Sequence, residues 1–133
     1  APQAQINLDD HNPQSLTDLR LIRRIVRDYK FRNSSAEETI SMWPSVRAGE
    51  FKWIYATQEG CDYVYNSMLP YELPVMKKYA LPLLQKIDQE SPCFPVAIRL
   101  MRMLKFFIDM DEKWVPSNSL MREFIGGSCY ADV

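Results

Sequence analysis

The chain has 133 residues, 47% of them hydrophobic and 25% charged, with a formal net charge of −1. That balance belongs to a folded globular chain rather than a disordered one, and a charge so near zero offers no overall electrostatic case for nucleic acid or an anionic membrane. No apolar run approaches the ~18 residues that a membrane span needs, and no signal-peptide pattern opens the chain.

The sequence starts at Ala1-Pro2-Gln3 without a methionine, and a segment of a longer protein is expected. Residues 1–16 form a polar lead-in. Ile6 and Leu8 alternate with polar neighbours, as in a short extended piece, and Asn12-Pro13 signals a turn. Asp9-Asp10-His11-Asn12 contains two carboxylates and the only histidine, residue types that serve as magnesium ligands or a general base. They are equally ordinary turn formers. With nothing else at ligand spacing, the turn is the better reading and no metal ligand is assigned.

Thr17-Asp18 offers an N-cap, and a helix is predicted over residues 17–31. At ~100° per residue, Leu19, Leu21, Ile22, Ile25, Val26 and Tyr29 share one face. Arg20, Arg23, Arg24, Arg27 and Lys30 share the opposite one. Residues 17–33 hold five arginines and one lysine against Asp18 and Asp28, a local charge of +4 on a chain whose remainder carries −5. Guanidinium groups stay charged at any working pH and bind phosphate oxygens bidentately. The competing reading is a solvated helix face neutralised by nearby acids, and periodicity alone weighs the two equally.

Asn33-Ser34 breaks this helix, and Ser35-Ala36-Glu37-Glu38 reads as a capping box for the next. The second helix carries Ile40, Trp43 and Val46 at helical spacing and is expected to run towards Trp53 with a kink at Pro44. Asp62-Tyr63-Val64-Tyr65-Asn66, β-branched and aromatic, is the best strand candidate. Leu73, Met76, Ala80, Leu83, Leu84 and Ile87 form the stripe of a third helix, with Pro74 in its first turn and a kink expected at Pro82. Ser91-Pro92 is expected to cap a fourth, running through Ile98, Leu100, Met101, Leu104, Phe107 and Ile108 and pairing with the third as an antiparallel hairpin. A short last helix is predicted over 117–124, closed by Gly126-Gly127.

Other chemistry is thin. Gly126-Gly127-Ser128 lacks the GxxxxGK[ST] spacing of a phosphate loop, and no such motif occurs elsewhere. One histidine does not assemble a nucleophilic triad. Cys61, Cys93 and Cys129 form no CxxC pair, which argues against zinc and fits a reducing, cytoplasmic compartment. They are expected as buried small hydrophobes, and Trp43, Trp53, Trp114 and Tyr63, Tyr65 and Tyr71 as core.

Thr17-Asp18-Leu19-Arg20-Leu21-Ile22-Arg23-Arg24-Ile25-Val26-Arg27-Asp28 resembles the lid segment of the uridine kinase and phosphoribulokinase family. The likeness continues through Trp43-Pro44-Ser45-Val46-Arg47-Ala48-Gly49-Glu50, Gln58-Glu59-Gly60-Cys61-Asp62, Asn66-Ser67 and Tyr71-Glu72-Leu73. It ends with Leu120-Met121-Arg122-Glu123-Phe124-Ile125-Gly126-Gly127-Ser128. The chain is similar to the long bacterial uridine kinase-like proteins, and the lid and the final stretch are the specific parts.

The resemblance implies a mainly α chain with one or two short strands, the C-terminal fragment of a P-loop α/β nucleoside kinase. Residues 17–34 would be the arginine lid helix, 35–67 the kinked helix and last kinase strand, and 71–128 the C-terminal helices. It implies that Arg24, Arg27 and Arg32 line a mobile lid over the donor nucleotide, with Arg20 and Arg23 beside them as weaker phosphate contacts. Such arginines would stabilise charge on the transferred phosphoryl group. ATP and magnesium would serve the full-length enzyme, whose upstream core would hold the phosphate loop, the magnesium-binding acid and the nucleoside site. The isolated chain is expected to be inactive.

Two positions depart from the family pattern. Phe31-Arg32-Asn33 stands where relatives often carry Phe-Arg-Gly, and Ala48 replaces a second arginine. Asparagine tolerates the left-handed backbone that glycine supplies, so the turn is expected to survive. Two readings from other classes remain: a non-catalytic helical module gripping RNA or another polyanion through the same arginines, and an interaction domain or homo-oligomer whose apolar 92–108 helix buries against a partner.

Overall fold

The computed structural model describes residues 16–55, 60, 71–108 and 110–130. The described residues are mainly helical, with no strand among them. The expected strand over 62–66, the extended piece at Ile6 and Leu8, and the 9–12 turn lie outside the described residues.

Helix α1 spans Leu16–Arg32, with Asp18 in its first turn and Lys30 and Arg32 in its last, charges that complement the helix dipole. It stops where predicted. Asn33 adopts φ 53°, the left-handed conformation asparagine tolerates, and the Ser34 N–H donates back to the Asp28 carbonyl at 3.0 Å. Ser35 then caps α2 (Ala36–Gly49), its Oγ accepting the Glu38 N–H at 3.2 Å. Pro44 lies inside α2, and the helix continues into a π-helical stretch, Glu50–Tyr55.

Helices α3 (Glu72–Gln85) and α4 (Phe94–Leu104) form the expected hairpin. Its antiparallel sense is fixed by two bonds that tie the exit of α4 to the entry of α3. Lys77 Nζ donates to the Phe107 carbonyl at 2.8 Å, and the Met110 N–H donates to the Pro74 carbonyl at 3.1 Å. The five stripe residues within α3 are buried, and so is Ile87, which the expected helix included but which falls just past its end. A 3-10 turn, Glu112–Trp114, and the short α5 (Arg122–Ile125) complete the described chain.

Helix α1 is the centre of the assembly, packed by α2, α3 and α5. Leu19, Leu21, Ile22, Ile25 and Val26 are at most 1% exposed. Burying a side chain of this size stabilises the fold by about 1.5–3 kcal/mol relative to leaving it in water. The core continues through Leu73, Val75, Met76, Leu84, Leu100 and Leu104 to Met121 and Ile125.

Several expectations need correction. Helix α4 begins at Phe94 with Cys93 as cap residue, and Ser91 Oγ instead accepts the Cys93 N–H just before it. Pro95, not Pro92, is the first-turn proline. The helix ends at Leu104, where Phe106 and Phe107 turn their N–H groups to Met103 and Leu104, so Ile108 is left 88% exposed. Helix α5 starts at Arg122 rather than 117, because residues 116–121 spend their bonds on two tight turns through Pro116 and Ser119. Tyr29, Trp53 and Trp114 are exposed rather than core, each under a lysine ammonium: Lys86, Lys52 and Lys113 respectively. Cys93 is buried as expected, but Cys129 is exposed. No helix among the described residues is long and apolar enough to cross a membrane.

Candidate functional site

The arginine face of α1 is partly covered. Helix α2 and the π-helical stretch lay Trp43, Val46 and Glu50 against it, and α5 adds Phe124. Together with Arg20, Arg23, Arg24 and Arg27 these side chains line a cleft of about 170 Å³. The side chains of Arg20, Arg24 and Arg27 keep only 22%, 23% and 27% of their surface in water. The neutralising acids of the solvated-face alternative are present, in Asp28, Glu50 and Glu72, but the arginines they pair with are partly covered.

Arg23 is the most deeply placed. Its Nε donates to Glu72 Oε1, both groups are buried, and the guanidinium lies 5.6 Å from the centre of the Phe124 ring. Glu72 sits in the first turn of α3, where the helix dipole favours a carboxylate. Arg23 therefore joins α1 to α3 rather than presenting itself to a ligand. Arg20 pairs with the buried Glu50, which Arg47 also approaches at 3.6 Å.

Arg24 and Arg27 stand differently. Arg24 Nε lies 3.3 Å from Asp28 Oδ2, and Arg27 Nε lies 3.5 Å from Asp28 Oδ1. Arg32 Nη1 approaches the same Oδ1 at 3.8 Å. None of Arg24 Nε, Arg27 Nε and Asp28 Oδ1 has a hydrogen-bond partner among the described residues, although all three atoms are buried. Three guanidinium groups thus share one carboxylate without hydrogen-bonding it well. Buried polar atoms are normally satisfied, and an arginine–carboxylate pair at its best is bidentate at about 2.7–2.9 Å. These Nε atoms are buried beside Asp28, while Arg24 and Arg27 also line the cleft.

Of the five arginines singled out in the sequence, the structure brings Arg20, Arg23, Arg24 and Arg27 to the cleft wall. Arg32 stays outside it, 58% exposed at the end of α1, with Nη1 3.8 Å from Asp28. Sequence reasoning placed Trp43 and Val46 on the second helix, with Trp43 as core. It gave no part in a site to either, nor to Glu50 and Phe124, nor to Glu72, which neutralises Arg23. The available signal was acidic residues at buried helix positions, Glu72 above all. Among the described residues no group of three His, Cys, Asp or Glu side chains stands close enough to hold a metal ion. No protein-family model matches the chain, and neither a curated protein nor a solved structure does.

Proposed function

We propose that the chain is the phosphate-gripping part of an ATP-dependent nucleoside kinase of the uridine kinase type, working in the cytoplasm. The observation that carries this reading is the gathering of Arg20, Arg23, Arg24 and Arg27 along the wall of one small cleft. Guanidinium is the side chain suited to a phosphate oxygen. The cleft's volume of about 170 Å³ falls below the ~300–1,000 Å³ of a complete small-molecule pocket. It would therefore take the phosphate end of a ligand, with the rest held elsewhere.

In this reading Arg24 and Arg27 grip the phosphate chain and Arg32 assists from the rim, lowering the cost of charge on the transferred group. ATP supplies that group. The phosphate loop, the magnesium ligands and the nucleoside site belong to an upstream core of the same polypeptide. Because α1 is packed by α2, α3 and α5, closure would carry these helices together rather than peel α1 away. The RNA-binding alternative is less favoured by the placement of the arginines. A nucleic-acid backbone is tracked by projecting cations, whereas Arg20, Arg24 and Arg27 are recessed.

The test is a titration of the 133-residue chain with tripolyphosphate by calorimetry, beside an assay of ATP-dependent uridine phosphorylation. The expected result is saturable binding with no turnover, and turnover once an upstream segment carrying a GxxxxGK[ST] loop is joined. Absence of binding, or turnover by the 133-residue chain alone, would overturn the assignment.

A further inference from the structure

Three carboxylates meet the arginine face, those of Asp28, Glu50 and Glu72, and of these only Glu50 lines the cleft. It stands where α2 passes into the π-helical stretch, and its backbone N–H donates to the Val46 and Arg47 carbonyls, which fixes its place in the wall. The residue is 4% exposed. Its Oε1 pairs with Arg20 Nη2, and its Oε2 lies 3.6 Å from Arg47 Nη1. That second oxygen is buried and has no hydrogen-bond partner among the described residues. A negative charge is therefore built into the wall of a cleft of about 170 Å³, beside Arg20, Arg23, Arg24 and Arg27. In so small a space a bound anion stands close to that charge, and Coulomb repulsion is strong where water is scarce.

From this geometry we infer that Glu50 is the specificity-determining residue of the cleft: it limits how tightly a phosphate group is held, and it holds back ligands of higher charge the most. The inference rests on the phosphate reading given above and names the group that sets affinity and release at that site. Glu50 acts in two ways. It engages Arg20, one of the cations of the cleft wall, and it repels an arriving anion directly, by an amount that grows with the charge of the ligand. The limit favours release, because differences in affinity at one site appear mostly in the rate of departure. A carboxylate that only tied Arg20 to the π-helical stretch would have the opposite signature. Its neutralisation would loosen the wall and weaken every ligand alike.

The sign of the effect and its dependence on ligand charge provide the test. Wild type and Glu50→Gln are titrated with inorganic phosphate, pyrophosphate and tripolyphosphate at one fixed ionic strength. Glu50→Gln is expected to tighten binding by about threefold for phosphate and about tenfold for tripolyphosphate, with pyrophosphate between them, because the repulsion removed scales with ligand charge. If the variant is unfolded in buffer, both proteins are melted in sucrose, which favours the folded chain. Tripolyphosphate is then expected to raise the Tm of Glu50→Gln more than that of wild type. Equal or weaker binding by Glu50→Gln, the same change for all three ligands, or a Tm rise no larger than that of wild type overturns the role of Glu50 alone. Failure of wild type to bind tripolyphosphate overturns the phosphate reading and this inference with it.

Discussion

Arg23 and Glu72, 49 positions apart in sequence, form a buried ion pair that joins the middle of α1 to the first turn of α3. The pair divides the arginines into two sets. Arg23 is committed to holding the bundle together, while Arg24 and Arg27, on the same helix face, approach Asp28 at 3.3 and 3.5 Å and line the cleft. A row of arginines that looks uniform along the helix thus does two jobs, and mutation should separate them.

Glu72→Ala should be strongly destabilising. It leaves the Arg23 guanidinium buried without its carboxylate, and breaking one side of a buried pair costs about 3–5 kcal/mol. Replacing both residues with leucine should recover most of that loss, because an apolar pair of similar volume avoids the desolvation cost. Urea midpoints of Arg23→Leu, Glu72→Leu and the double variant measure the coupling. Additive losses would show that the pair is not coupled.

The turn after α1 offers a smaller, cleaner test. Asn33 sits at φ 53°, where an ordinary L residue is strained by about 1–2 kcal/mol. Asn33→Ala should therefore lower stability by about 1 kcal/mol, and Asn33→Gly should match or exceed wild type. Ser35→Ala, two residues on, should cost about 1 kcal/mol by removing the cap on the Glu38 N–H. Thermal unfolding of the three variants distinguishes backbone strain from capping.

These local features were legible in the sequence because they depend on neighbours. The limits of α1 followed from its period and from Asn33, the start of α2 from Ser35, and the burial of α3 from its stripe. The surroundings of the arginine face were not legible, because they depend on partners remote in the chain. A helical wheel gives the direction of Arg20, Arg24 and Arg27 but not that Trp43, Glu50 and Phe124 would be laid over them. Periodicity likewise carried α4 on to Ile108. There the chain turns back instead, held by Lys77 and Pro74 of α3.

The Arg122–Gly127 corner should be sensitive for a similar reason. Arg122 donates through Nη2 to the carbonyls of Glu112 at 2.8 Å and Val115 at 2.7 Å, and through Nη1 to that of Gly126 at 3.4 Å. Gly127 adopts φ 75°, and an added Cβ would stand 3.3 Å from Arg122 Nη1. Gly127→Ala meets both strain and crowding and should cost about 1–3 kcal/mol. Arg122→Ala strips three carbonyls of a charged donor and should cost about 1–3 kcal/mol. Both variants should also displace the cleft residue Phe124, which calorimetric titration with tripolyphosphate would register as weaker binding.

The two sets of arginines should separate by readout. Arg24→Ala and Arg27→Ala remove unaligned contacts to a carboxylate that keeps other partners, so each should change stability by less than about 1 kcal/mol. Each should nevertheless weaken tripolyphosphate binding by about tenfold or more, the value of a charge-assisted hydrogen bond. The double variant should also lose about two from the slope of log affinity against log salt. Arg32→Ala, exposed and outside the cleft, should weaken binding only about twofold. Arg23→Ala should behave in reverse, with a large loss of stability of about 3–5 kcal/mol and a modest change in affinity wherever the fold survives. Parallel urea melts and titrations of these variants would decide the matter. Equal losses of stability and affinity at all four positions would mean that the arginine face is one structural unit and the cleft has no ligand of its own.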